Sequence, residues 1–324
     1  MTQRRPPVDI VVSEAGLCDG LRALRQRLPS AARQAWVAAE AAAGVRDIEI
    51  GTFAPPGVLP QMADVADAAS HVLGIAGLTV AARVPNFLGA ERAIAAGVHR
   101  IALPLFASEA DSLRQMNRTH AQMLREVRRI AQRIGAVPRQ ARPRLQVRLE
   151  MAFGCALAGP MGESAVACLA EALMAAGCED IVLCDTPGCA DPRQVRRLTQ
   201  AVREAGGVQA VSGIHLANTR GLGLANALTA VEAGVPVVHA SLGGLGGNVV
   251  TEDLVFLLEA VGLRTGIDLP ALLAARTAVA QYLPGVTLQG FTPVAGLPAG
   301  FPPAPPAQLA SATKACPMAS DAPK

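Results

Sequence analysis

An alternation dominates this chain. Short apolar or β-branched runs recur at Val8–Val12, Asp47–Thr52, Leu78–Arg83, Arg100–Leu105, Leu145–Phe153, Asp180–Cys184, Ala210–Leu216 and Val237–Ala240. Stretches with helical spacing lie between them, among them Glu91–Ala96, Ser108–Ile134, Glu163–Ala176, Pro192–Ala205 and Gly223–Ala233. Glycines at 97 and 177 fit helix C-caps. Strands that alternate with helices imply parallel pairing through helical crossovers. Eight evenly spaced strands favour a closed (β/α)8 TIM barrel over its competitor, the doubly wound open sheet. The length, 324 residues, suits one such barrel, and a content of 51% hydrophobic and 17% charged residues supports a large core. Helices follow at Thr251–Gly262 and Leu269–Gln281. From Phe291 the chain turns rich in Pro and Ala, so residues 1–290 are expected to form the barrel and 291–324 a disordered tail.

Composition excludes several classes of function. Aromatics make up 3% of the chain and net charge is +3, which argues against a nucleic-acid partner. Arg125, Arg128, Arg129 and Arg133 share one expected helix, either as a solvated face or as a patch for an anion such as CoA phosphate. The N-terminal MTQRRPPVDI shows no signal peptide, and no apolar run of about 18 residues points to a membrane. The seven cysteines include no CxxC pair, which fits a reduced cytoplasmic protein. The expected partner is a small-molecule substrate, and the expected assembly is a homo-oligomer.

In a parallel barrel the chemistry sits where strands end. Polar residues there are Glu14, Cys18 and Asp19 after the first strand, Glu49 on the second, and Ser108, Glu109 and Asn117 after the fourth. The fifth contributes Arg148, Glu150 and Cys155, the sixth Asp185 and Thr186, and the seventh His215, Asn218 and Arg220. His239 and Ser241 follow on the eighth, then the glycine run GGLGGN ending in Asn248. Carboxylates, imidazoles and an amide on one rim are ligands that suit Mg2+ or Mn2+. Each also has an ordinary structural use, such as capping the next helix or packing.

The segments VDIVVSEAGLCDGLRAL, IEIGTFAPPGVLPQMAD, RVPNFLGAERAIAAGV, FGCALAGP, VLCDTPG, IHLANTRGLGLANALTAVEAGV and ASLGGLGGNVVTEDLVFLLEAVG carry a resemblance. In order, from about Val8 to Leu269, they are similar to blocks of the 3-hydroxy-3-methylglutaryl-CoA (HMG-CoA) lyase family. The first resembles that family's E-x-G-x-R-D-G-x-Q motif, and the sixth its H-x-H-D-T-x-G block. The resemblance implies a divalent metal, Mg2+ or Mn2+, as cofactor and an acyl-CoA substrate. The implied reaction is retro-Claisen cleavage of a 3-hydroxyacyl-CoA or related 3-hydroxy acid. Asp19, His215 and Asn248 fall on metal-ligand positions, and Glu14, Glu49 and Asp185 on acidic residues around the site.

Three departures alter that set. The family's Arg is Cys18 here, the second His of H-x-H is Ala217, and Gly247 runs directly into Asn248 without the longer loop that holds the family's catalytic Cys. Replacements are conceivable on the rim: His239 as a ligand or base, Cys18 as a thiolate or acid, and Arg148 as the missing positive charge. Their structural alternatives are packing, a small buried hydrophobe and a paired rim charge. Arg148, Thr186 and Asn218 are the candidate substrate contacts. The leading expectation is a divergent carbon–carbon lyase with a rebuilt or weakened metal site. A catalytically inactive paralogue that binds a ligand or partner subunit, and a non-lyase enzyme on the same rim, are the alternatives.

Overall fold

The computed structural model describes residues 8–24, 27–155 and 159–301. Eight parallel strands close into a barrel: β1 (Val11–Glu14), β2 (Asp47–Thr52), β3 (Thr79–Arg83), β4 (Arg100–Phe106), β5 (Arg144–Glu150), β6 (Asp180–Asp185), β7 (Val211–Leu216) and β8 (Val237–Ala240). The last strand returns to the first through Val11↔Val237 and Glu14↔Ala240, which excludes the open sheet. Helices cover the outside. Ile48, Ile50, Val147, Leu149 and Ile214 share one apolar cluster with helix residues such as Trp36, Val166 and Leu173.

Boundaries move where local hydrogen bonding overrides the apolar pattern. β1 starts at Val11 rather than Val8, because the backbone N–H groups of Asp9 and Ile10 donate to Arg264 O and the Asp9 carboxylate pairs with the Arg264 guanidinium. β5 ends at Glu150 rather than Phe153, because Met151 adopts φ 55. The expected helix Ser108–Ile134 is two helices, Glu109–Met116 and His120–Gly135. Asn117, at φ 52, closes the first, and Thr119 opens the second through a capping box with Gln122. Arg125, Arg128 and Arg129 on that second helix are exposed, and Arg133 pairs with Glu91.

The barrel interior is polar along its length, unlike the branched apolar filling usual for this fold. Near the strand starts, Arg100 grips Asp47 at 2.6 and 2.8 Å and Ser13 donates to Asp47, while Gln146 and Ser212 both donate to Asp180. Near the strand ends sit Glu49, Arg83, Arg148, Glu150, His215 and His239, all buried.

The tail expectation needs correction at its start. Phe291 N and Thr292 N donate to the Asp253 carboxylate, a short helix covers Thr292–Ala295, and Phe301 stacks on Phe256 with centroids 5.2 Å apart. Residues 291–301 are therefore anchored to the helix Thr251–Ala260; the rest of the expected tail, 302–324, lies outside the described residues. Among the described residues no helix is long and apolar enough to cross a membrane.

Candidate active site

The site begins with a tight turn. β1 runs into a π-helical turn over Gly16–Gly20 that presents Cys18 and Asp19, a device frequent at functional sites. Glu14 holds this turn to the loop after β8: its carboxylate accepts from Gly16 N at 2.6 Å, Leu242 N at 3.0 Å and Thr251 Oγ1 at 2.7 Å. In that loop Gly246 packs on the turn, where a Cβ would stand 3.2 Å from the Asp19 carbonyl, and its φ of 77° suits glycine. At the end of β2, Gly51 has φ 151 and marks a register shift against β3 between Glu49 and Thr52.

These elements bring a charge cluster together. Arg83, at the end of β3, places Nη2 2.9 Å from Asp19 Oδ2, Nε 2.6 Å from Glu49 Oε1 and Nη1 3.8 Å from Glu150 Oε1. Arg148 lies below it, with Nη1 3.0 Å from Glu49 Oε2 and 3.1 Å from His239 Nδ1, and Nε 3.5 Å from Glu150 Oε1. Arg22, half exposed, donates to Asp19 Oδ1 at 3.0 Å. His215 Nε2 stands 3.6 Å from Asp19 Oδ2. A cavity of about 160 Å³ opens above, lined by Asp19, Arg22, Arg83, Glu150, Thr186, His215 and Asn248 together with Ala23 and Gly246.

The electrostatics follow from burial set against these guanidinium groups. Burial pushes the Asp19, Glu49 and Glu150 carboxyls up, but Arg83 foremost outweighs it and holds all three below the usual carboxylate range. Burial, aided by Arg148, lowers His215 to about 4 and His239 well below the ordinary imidazole value, so both rings are uncharged at neutral pH. Burial and the neighbouring Glu49 push the Cys18 thiol far above its usual range.

The expected residues divide into two groups. Asp19, His215, Asn248 and Thr186 line the cavity, with Glu49 and Arg148 directly beneath in the ion-pair cluster. Thr186 donates to Glu150 at 2.7 Å and Asn248 to Ser241 at 2.8 Å. The others lie off the cavity. Glu14 ties loops together as described. Asp185 accepts from Cys189 N and Ala190 N, which shapes the turn after β6, and Asn218 accepts from Gly223 N at the next helix start. Cys18 is fully buried, its Sγ 3.3 Å from Thr52 Oγ1. His239 is buried behind His215, with ring centroids 5.9 Å apart and edge-to-face, and its Nε2 has no hydrogen-bond partner. Cys155 donates to Asp111, away from the cavity.

Arg83 and Arg22 are absent from the rim residues that the sequence points to. Both left a signal. Arg83 is a lone charge at the end of the apolar run Leu78–Arg83, and Arg22 occupies the final, Gln position of the first-strand motif.

The donor set does not fit the divalent ion that the resemblance implies. Both Asp19 oxygens are held by guanidinium groups, and Ala217 offers no side-chain ligand; its backbone pairs with Asn248 instead. Among the described residues no three His, Cys, Asp or Glu side chains converge on a point that could hold a metal.

Comparison with known proteins places this geometry in a family. The chain is 37% identical to the (R)-citramalyl-CoA lyase of Chloroflexus aurantiacus over 79% of its own length and 86% of that protein. It is 30% identical to a hydroxymethylglutaryl-CoA lyase of Bacillus subtilis over 88% of its length and 98% of the relative. Its fold matches the crystal structure of hydroxymethylglutaryl-CoA lyase from Pseudomonas aeruginosa with a TM-score of 0.82 at 30% identity, covering 90% of this chain and 98% of that one. An HMG-CoA lyase from Acinetobacter baumannii in complex with coenzyme A and 3-methylmalate matches with the same score at 31% identity, over 91% and 98% of the two chains. The model of the HMGL-like family covers residues 9–279, and the chain belongs to that family.

Proposed function

We propose that the chain is a divergent acyl-CoA carbon–carbon lyase that cleaves a short 3-hydroxyacyl-CoA of the citramalyl-CoA or HMG-CoA type. One observation carries this reading: a small cavity at the strand ends is walled by Arg22, Arg83 and uncharged His215. About 160 Å³ admits a short acyl group and leaves the CoA moiety outside. Arg22, half exposed at the cavity wall, is placed to receive the substrate's free carboxylate.

The chemistry follows from the substrate class. His215 Nε2 takes the proton of the 3-hydroxyl, and the oxygen's electrons form a carbonyl. The bond between the α and β carbons breaks, its electron pair passing to the thioester as an enolate. The enolate takes a proton from solvent at its α carbon and leaves as acetyl-CoA, and His215 returns the hydroxyl proton to solvent. Fixed guanidinium groups beside the forming charge need no reorganisation during the step, which is the usual source of such stabilisation. Cys18 takes no part, because it is buried off the cavity.

The test is incubation of purified protein with citramalyl-CoA and with HMG-CoA, followed by chromatography of the thioesters. The expected result is acetyl-CoA release with one equivalent of pyruvate or acetoacetate respectively. Binding of these thioesters without turnover would overturn the lyase reading and favour a ligand-binding paralogue.

A further inference from the structure

We propose that the Arg83 guanidinium occupies the place of the divalent cation in this chain, so that the cavity is built to work without a metal ion. The inference rests on the lyase reading only for what the cavity does; the cation's placement stands on geometry.

Arg83 behaves like a bound cation. It enters from the end of β3, and each of its nitrogens faces a different carboxylate: Nη2 faces Asp19 at 2.9 Å, Nε faces Glu49 at 2.6 Å and Nη1 faces Glu150 at 3.8 Å. Three acids from three strand ends thus converge on one rigid, permanently charged group. The charges balance within the cluster: Asp19, Glu49 and Glu150 face Arg83, Arg148 and Arg22. A divalent ion entering here would add two positive charges against guanidinium groups already 2.9 and 3.8 Å from Asp19 Oδ2.

One further ligand position agrees: Ala217 has no donor atom on its side chain, so the segment after β7 adds no second imidazole to His215. At 3.8 Å from Glu150, Arg83 Nη1 is too far for a hydrogen bond, and Arg83 lines the cavity, so this nitrogen is the one left to donate to a substrate oxygen. The guanidinium therefore offers fixed charge and N–H donors at the point where a metal would offer open coordination sites.

Electron paramagnetic resonance of Mn2+ tests this without substrate. The chelator-stripped full chain is mixed with equimolar MnCl2, and loss of the free-ion signal reports uptake. Wild type is expected to leave the signal unchanged. Arg83→Met releases Asp19 Oδ2 and Glu49 Oε1 from their Arg83 contacts and is expected to bind Mn2+ about ten- to a hundredfold more tightly than wild type, the scale on which neighbours tune a metal site. Stoichiometric uptake by wild type overturns the proposal, as does a folded Arg83→Met protein that binds no better. Should Arg83→Met not fold, the wild-type signal decides alone: uptake overturns the proposal and its absence supports it. An inactive protein still gives a readable spectrum, and an active lyase that takes up Mn2+ would keep the functional reading while sinking this one.

Discussion

Arg148 is fully buried and touches Glu49, Glu150 and His239, so its charge is balanced by contacts rather than by water. Removing one partner from such a set leaves an uncompensated buried charge, which typically costs about 3–5 kcal/mol. Arg148→Met should therefore lower the unfolding free energy by about that amount in chemical denaturation. A change below about 1 kcal/mol, the range of surface pairs, would show that the cluster does not hold the barrel together. Position along the strands made Asp19, Glu49, Arg148 and His215 legible in the sequence: Asp19 follows an apolar run, His215 stands near the end of one, and Glu49 and Arg148 are charges set inside one. The partners of Arg83 were not legible, since Asp19 lies 64 residues earlier and only barrel closure brings the two together. For Cys18 the sequence leaves a thiolate or acid and a small buried hydrophobe both open, and its burial against Thr52 agrees with the second.

Glu14, which joins the turn after β1 to the glycine loop after β8, forms a buried acid pair with Glu40 of the helix Ser30–Ala42. Glu14 is pushed up to about 7, first by burial, and Glu40 is raised well above its ordinary value by burial and then by Glu14. Glu252, itself paired with Arg276 at 2.7 Å, adds to the repulsion on both. The folded pair therefore retains a proton that the unfolded chain releases above the ordinary glutamate value of 4.5. Where the native state binds more protons, stability falls as pH rises. The contribution is complete below 4.5 and is lost as pH rises through about 7. One extra proton held by the native state is worth about 1.4 kcal/mol for each pH unit over which it is retained. Relative to Glu40→Gln, wild type should therefore lose up to about 2–3 kcal/mol between pH 5 and 8, a comparison in which the opposing titration of His215 and His239 cancels. Parallel denaturation curves for both proteins across that range would contradict the assignment. Element type was legible throughout the barrel from periodicity. Element ends were less so: Arg264 on Asp9 and the left-handed Asn117 are local contacts that no apolar pattern encodes. The anchoring of residues 291–301 likewise depends on Asp253, which periodicity assigns to a helix face without revealing its partners.

At the scale of the molecule, eight strand ends bring residues that are remote in sequence onto one rim, and the polar column inside the barrel supports them. The lower tier, with Asp47 held by Arg100 and Asp180 by Gln146 and Ser212, is a foundation far from the cavity. The upper tier lines the cavity, at the end of the barrel where such sites form. The fold and the family were readable from motif order, whereas the rearranged cations needed the closed barrel to be seen. The central claim is that uncharged His215, set among arginines, starts carbon–carbon cleavage of an acyl-CoA. The most direct measurement is the rate of acetyl-CoA release from citramalyl-CoA by wild type and by folded His215→Ala. Loss of a positioned base should reduce the rate by about 10²–10⁴-fold, while a His215→Ala rate within a factor of about three of wild type would contradict the account.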